Sequence, residues 1–294
     1  MLQTNKLKYA EDAAGLGRLR AIGMSLPALI LLVMFVLFPA LWTLFLGMTN
    51  YQLTSSSMNF VGLSNYMTML KDPLFYNAIL MSLLFVGFSA ILGQSILGFL
   101  VAWYLRSIPK SIVSIIEALI IAAWVAPGSV TVFIWLSMYR KDGGMINTIF
   151  GTTTNWLVHY PMLSVIVFNI WVGVAFSVLQ YRSALASVPE NELESARLMG
   201  ATKSRTIKDV VLPHIKGHVM SNVLLVCLST LSTFSPYMLT MGGPNHKSEV
   251  LPAYIYNTAL GNGELGRGSA ISVALIFLNL MLFLIMRRVG GKNK

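Results

Sequence analysis

Apolar residues in this chain gather into long runs separated by short polar breaks, and the lengths of those runs predict membrane-spanning helices. A span needs about 20 mostly apolar residues, and stretches of that kind occur at roughly 22–48, 76–105, 112–138, 162–180, 217–241 and 267–287. A transmembrane barrel would show alternating strands of about 10 residues instead, so the pattern predicts an all-α polytopic membrane protein with six transmembrane helices. The first run contains Pro27 and Pro39 and follows a tail with two acids and no small-residue cleavage pattern, which reads as a retained anchor rather than a leader. One polar interruption is far longer than the others. The expected division is a tail over 1–21, a membrane domain over 22–287 that includes a polar loop over 181–216, and a second tail over 288–294.

Composition agrees, with 55% apolar residues, 11% charged residues and a mean hydropathy of +0.69. A soluble domain does not have this usage. Of the 21 bases, sixteen fall in the N-terminal tail, the turn at Arg106 and Lys110, the 181–216 loop and the C-terminal tail. The remaining five are Lys71, Arg140, Lys141, Lys247 and Arg267. Because Lys and Arg are retained on the cytoplasmic side during insertion, this asymmetry places both termini and the long loop in the cytoplasm. The net charge of +10 therefore reflects topology, and no base-reading motif accompanies it, so no nucleic-acid partner is expected.

Candidate chemistry is sparse. Cys227 stands alone inside a span, and the histidines, His159, His214, His218 and His246, are scattered. His214 and His218 share a helical spacing but lack the central Glu and third ligand of a zinc hydrolase, which points to interfacial hydrogen bonding. There is no GxxxxGK[ST] sequence. Glu117 is the carboxylate nearest a span interior and reads as a snorkelling interfacial charge, the alternative being a buried partner for a base.

The long loop carries more. Pro189 suits the first turn of a helix, and Glu190, Glu192 and Glu194 complement its positive end. Leu193, Ala196 and Leu198 offer apolar contacts while Arg197 stays wet. Gly200 supplies a turn, and a second helical stretch is expected from Lys203 to about Val211, interrupted by Pro213. A helical knob of this kind is either an interfacial ornament or a grip for a partner's groove.

These residues resemble the EAA loop of the permease subunits of binding-protein-dependent ATP-binding-cassette importers. Glu194, Ser195 and Ala196 take the EAA places, Gly200 and Ala201 follow at the family's interval, and Val210, Val211, Leu212 and Pro213 close the motif. Ser195 replaces the second alanine, and Met199 stands where an Asp often precedes the glycine. Phe60 to Tyr66 resembles the FVGLxNY segment of the carbohydrate-uptake branch, and Leu239 to Pro244 its LTxGGP segment, continued by Tyr254, Ile255 and Tyr256. Together the motifs resemble the first permease of a heterodimeric pair.

The resemblance implies a noncatalytic transport subunit in a prokaryotic cell membrane, the inner membrane in a diderm. It implies a second permease subunit, two ATPase subunits that bind ATP and Mg2+, an extracytoplasmic solute-binding protein and a sugar cargo. No cofactor is expected on this chain, and membrane lipid surrounds it. Glu194, Ser195, Ala196, Gly200, Ala201, Leu212 and Pro213 would then seat one ATPase and transmit its movement.

Polar side chains within spans are costly unless they face protein or water. That makes Asn169, Gln180, Asn222, Ser229, Ser232, Thr233 and Ser235 candidates for a hydroxyl-rich solute, and helix–helix hydrogen bonding is the other use of the same groups. Trp171, Phe234 and Tyr237 offer faces for a sugar ring. Segments 60–66, 140–160 and 242–265 are candidates for receptor docking, with Asn147 bracing either an outer gate or a simple turn. A secondary transporter is disfavoured by the absence of a repeated half and of an intramembrane coupling carboxylate. A noncatalytic membrane adaptor would tolerate the same knob but would not need the three separated motifs.

Overall fold

The computed structural model describes residues 23–55 and 57–291, with side chains to Arg288. The tail over 1–21 and the last residues of the second tail lie outside the described residues. Apolar helices dominate: α1 (Gly23–Leu46), α2 (Pro73–Leu105), α5 (Pro161–Ala186) and α11 (Leu265–Arg288) are each long and apolar enough to cross a membrane. Between α2 and α5 lie α3 (Lys110–Val125) and α4 (Gly128–Met138), bent 98° at their junction. The polar loop forms α6 (Glu190–Leu198) and α7 (Lys203–His214), and α7 meets α8 (Lys216–Leu231) at 80°. Two short helices follow, α9 (Ser235–Thr240) and α10 (Leu251–Tyr256).

Two of the expected continuous runs are therefore broken. The stretch expected at 112–138 turns at Ala126 and Pro127, where Pro127 removes a donor and holds Ala126 extended at ψ 134°. The stretch expected at 217–241 ends at Leu231 and restarts at Ser235, with Pro236 in the first turn of α9. The polar stretches at the breaks, Pro127 to Ser129 and Ser232 to Pro236, are too short to interrupt a span-length average of hydropathy. In the other direction, α5 runs through the expected loop boundary to Ala186, because Tyr181, Ala184 and Leu185 bury against neighbouring helices.

The core of the bundle is α2 against α5 and α8. Small residues let the backbones close: a Cβ at Gly98 would lie 2.4 Å from Ser177 Cβ, so that crossing admits only glycine. Through Val86–Leu97 helix α2 is π-helical. Buried hydroxyls and amides join the three helices. Asn169 donates to Ser89 (2.9 Å) and Thr230 (3.3 Å), and Asn222 donates to Tyr181 (3.1 Å), Ser177 (3.2 Å) and Ser95 (3.3 Å). At one end an apolar cluster of Leu105, Val113, Tyr181, Leu185 and Val188 takes in Leu193, Val211 and Ile215, which pins the polar loop onto the helix ends. Burial of each such aliphatic side chain contributes about 2 kcal/mol.

The opposite end is closed by polar ties. Asp72 caps α2 by accepting from the Leu74 N–H (2.9 Å), and the same carboxylate accepts from Tyr254 Oη (2.6 Å) and pairs with Arg267 (2.5 Å). Asn65 donates to the carbonyls of Gly47 (2.9 Å) and Thr49 (2.7 Å), anchoring the FVGLxNY segment to the end of α1. In the 140–160 segment Asn147 donates to the carbonyls of Arg140, Lys141 and Thr154, and accepts from Thr152 Oγ1 and Trp156 Nε1. Its role in the structure is therefore that of a turn brace.

Candidate functional site

Two of the polar hollows among the described residues bear on the sequence candidates. The first is a cavity of about 360 Å³ between α2, α5 and α8, walled by Gln94, Asn169, Ser229, Thr230, Thr233 and Ser235 on its polar side. Its apolar side includes Trp124 and Phe176, whose ring centroids lie 6.1 Å apart. The breaks in the helices build it. The 98° bend after Val125 leaves Trp124 at the end of α3, and the interruption after Leu231 leaves Thr233 and Ser235 with side chains at the cavity wall.

Asn169, Ser229, Thr233 and Ser235 are brought together there from the sequence candidates. Ser232 turns away and accepts from Asn279 (3.3 Å). Trp171 packs edge-on to Trp135 at 5.9 Å and is not part of the wall. Asn222 is fully buried in the hydroxyl network below, and Gln180 is likewise outside the wall, its Oε1 buried without a donor. Phe234 and Tyr237 stack at 5.0 Å and both meet Tyr256, at 5.1 and 4.6 Å, in an aromatic trio beside α9. Gln94, Trp124 and Phe176 carried no mark in the sequence, since an amide or a ring in an apolar run does not announce which way it faces, and Tyr256 stood out there only as part of the family-like segment after the fifth run.

The second place is the loop. Pro189 precedes α6, and Glu190 and Glu192 occupy its first turn, where the helix dipole favours them. Gly200 then ends α6 with φ +76°: its N–H reaches the Arg197 carbonyl (3.0 Å) and the Ala201 N–H reaches that of Ala196 (3.0 Å). That is a Schellman turn, and it needs a residue without a Cβ in the left-handed region. Thr202 caps α7 by accepting from the Arg205 N–H at 3.3 Å.

Leu193 and Ala196 point inward, while Glu194 and Ser195 stand on the exposed side. Leu198 was expected among the apolar contacts but is 88% exposed, with Met199 beside it at 81%. The turn at Gly200 lifts both side chains off the bundle. Leu212 is exposed as well, and Pro213 lines an open cleft with Asn191, Glu192, Ser195, Asp209 and His214. Arg106 fastens the start of α6 to the end of α2 by pairing with Glu190 (3.0 Å). Glu117 is paired with Arg182, so of the two readings the sequence left open it is the partner for a base, half-buried, that the structure shows.

Comparison with known proteins decides what this arrangement belongs to. Residues 94–293 match the family described as binding-protein-dependent transport system inner membrane component. The chain belongs to that family of permeases. Within it, the permease is 27% identical to the trehalose/maltose transport system permease of Thermococcus litoralis over 98% of this chain and 97% of that one. It is 26% identical to the sulfoquinovosyl glycerol transport system permease of Agrobacterium fabrum, over 92% and 90% of the two chains. A crystal structure of a bacterial alginate ABC transporter, with an alginate pentasaccharide-bound periplasmic protein, superposes with a TM-score of 0.80 at 19% identity over 96% of each chain. This permease is thus a multi-pass membrane subunit of an ATP-binding-cassette importer, and transport rather than catalysis is its work. Among the described residues no cluster of His, Cys, Asp and Glu has the makings of a metal site.

Proposed function

We propose that this permease forms half of the translocation path of an ATP-driven sugar importer. Six crossings, counting the bent α3–α4 pair and the α8 region as spans, place both termini and the α6–α7 loop in the cytoplasm, in keeping with the distribution of Lys and Arg. A second permease completes the path. Two ATPase subunits that bind ATP and Mg2+ engage the loop of each permease, and an extracytoplasmic solute-binding protein delivers cargo to the opposite end.

The observation that carries the cargo assignment is the cavity wall itself. Amide and hydroxyl groups face Trp124 and Phe176 across a space of about 360 Å³, a combination that suits the hydroxyls and the apolar face of a sugar ring. The relatives named for trehalose, maltose and other glycosides agree with that reading.

On the loop, Glu194, Ser195, Ala196, Gly200, Ala201, Leu212 and Pro213 form the EAA-type coupling element. The exposed Leu198 and Met199 extend the surface that enters the ATPase. Closure of the ATPases moves the spans because Leu193, Val211 and Ile215 tie the loop to the helix ends. Both sites must bias one conformational equilibrium for coupling to occur.

Sugar-stimulated ATP hydrolysis by the complete reconstituted complex, compared between the parent and Gly200→Pro, tests this. Proline cannot adopt φ +76°. Stimulation by a sugar that is lost in the assembled variant is the expected result; stimulation that survives the substitution would remove the loop from the mechanism, and a complex that responds to no sugar would overturn the cargo.

A further inference from the structure

The cavity between α2, α5 and α8 contains no ionisable side chain among the residues that line it. Glu117, the closest acid along α3, lies seven residues before Trp124, about 10 Å of helix away, and is already neutralised by Arg182. Within this uncharged wall Gln94 stands apart. It is 3% exposed, and its Nε2 donates to the Asn169 carbonyl at 2.9 Å. No described residue donates to its Oε1, which is not sealed off among the buried unpaired atoms. The carboxamide rests on Gly173, where a Cβ would lie 2.2 Å from Gln94 Cδ. One edge of the amide is thus clamped to the α5 backbone, and its acceptor is left for whatever occupies the cavity.

We propose that this cavity selects an uncharged, hydroxyl-rich solute against anionic sugars, and that Gln94 Oε1, positioned by Gly173, accepts a cargo hydroxyl and sets that selection. The proposal rests on the importer reading above and deepens it. A carboxylate or phosphate entering the site would lose its hydration and meet no cation on this permease's wall. It would also face the Gln94 acceptor, which offers an anion nothing but repulsion. A neutral sugar brings hydroxyl donors to that acceptor and finds the hydroxyls of Ser229, Thr233 and Ser235 on the same wall. Selection of this kind works through the group left unpaired by the wrong ligand.

The test uses the complete complex in detergent without its solute-binding protein, so that only the membrane site discriminates. The probe is a labelled neutral sugar, the one among common mono- and disaccharides that best stimulates ATP hydrolysis by the complex, displaced by its unlabelled form, its uronic acid and its 6-phosphate. The neutral form should compete at least about 100-fold better than either anion; equal competition would overturn the selection. Gln94→Ala and Gly173→Ala should each weaken binding about tenfold, and the double variant should bind no more weakly than either alone. Gly173→Ala keeps the Gln94 side chain but pushes its carboxamide off the α5 backbone, and so tests its position without deleting it. Additive losses in the double variant would show that Gly173 does not act through Gln94, and unchanged binding in Gln94→Ala would remove Gln94 from the site. If no sugar of either charge binds or stimulates hydrolysis, the importer reading fails as well, an outcome distinct from equal binding of both forms.

Discussion

Glu117 on α3 and Arg182 near the end of α5 form an ion pair whose side chains are 28% and 27% exposed, at the end of the bundle where the α6–α7 loop docks. The pair crosses between a helix that ends in a 98° bend and one that leads directly into α6. A pair of this partial burial lies between exposed pairs, worth at most about 1 kcal/mol, and fully buried ones, whose disruption costs about 3–5 kcal/mol. Glu117→Gln and Arg182→Gln should each destabilise the permease by about 1–2 kcal/mol. In a double-mutant cycle on thermal unfolding of the detergent-solubilised complex, the two losses should not add. Additive losses would mean that the contact carries no coupling.

Leu198 and Met199 stand off the bundle on the Schellman turn at Gly200, and no described residue covers them. Leu198→Asp should leave the thermal midpoint of the permease pair unchanged and weaken ATPase association by about 2 kcal/mol or more, the loss expected when a central apolar anchor is replaced by a charge. Retention of ATPase subunits on the immobilised permease is the measurement. Unchanged retention would place the ATPase contact elsewhere on the loop. Gly200→Ala acts differently: it strains the turn itself and should cost the fold about 1 kcal/mol.

Asn147 satisfies five groups in the segment between α4 and α5, including the Trp156 indole N–H at 2.8 Å. With the side chain 4% exposed, truncation leaves three carbonyls and two donors to find water that cannot easily enter. Asn147→Ala should therefore destabilise the 140–160 segment by about 2–3 kcal/mol. Limited proteolysis should show a new cut there while the remaining helices stay protected. Asn147→Asp keeps the two acceptor contacts and should be cut as well, because the three carbonyls lose their donor.

How much of this was legible beforehand differs from element to element. The ends of α1, α2 and α11 follow from where long apolar runs meet Gly, Asp and Arg, and the loop motif stands out because polar residues are rare here. The breaks before Gly128 and Ser235 were signalled by Pro127 and Pro236 and by short polar dips, Gly128-Ser129 and Ser232 to Ser235, that a span-length average of hydropathy does not resolve. Asn169 and Asn222 look alike in sequence and both donate to buried hydroxyls, yet the first also reaches the cavity wall while the second is sealed inside the bundle. Which of two buried amides is free for a ligand depends on helix rotation, and the weak face pattern of an apolar helix does not record rotation.

Asp72 gives the opposite end of the molecule a definite response to acid. Burial pushes its carboxyl group upward, but the Tyr254 hydroxyl, the Leu74 N–H and Arg267 together outweigh that and hold it below the usual carboxylate range. A carboxyl group whose folded value is lowered stabilises the fold above its unfolded value, near 4, and loses that contribution as the pH falls through the folded value. The tie between α2, α10 and α11 should therefore be at full strength from about pH 5 upward and weaken progressively below that. Asp72→Asn retains the helix cap and a contact to Tyr254 but drops the charge, so it should lower the thermal midpoint at pH 7 and flatten its dependence between about pH 5 and 3. Parent and variant curves that run parallel across that window would show that another acid governs the response, Glu264 beside Arg267 being the next to replace.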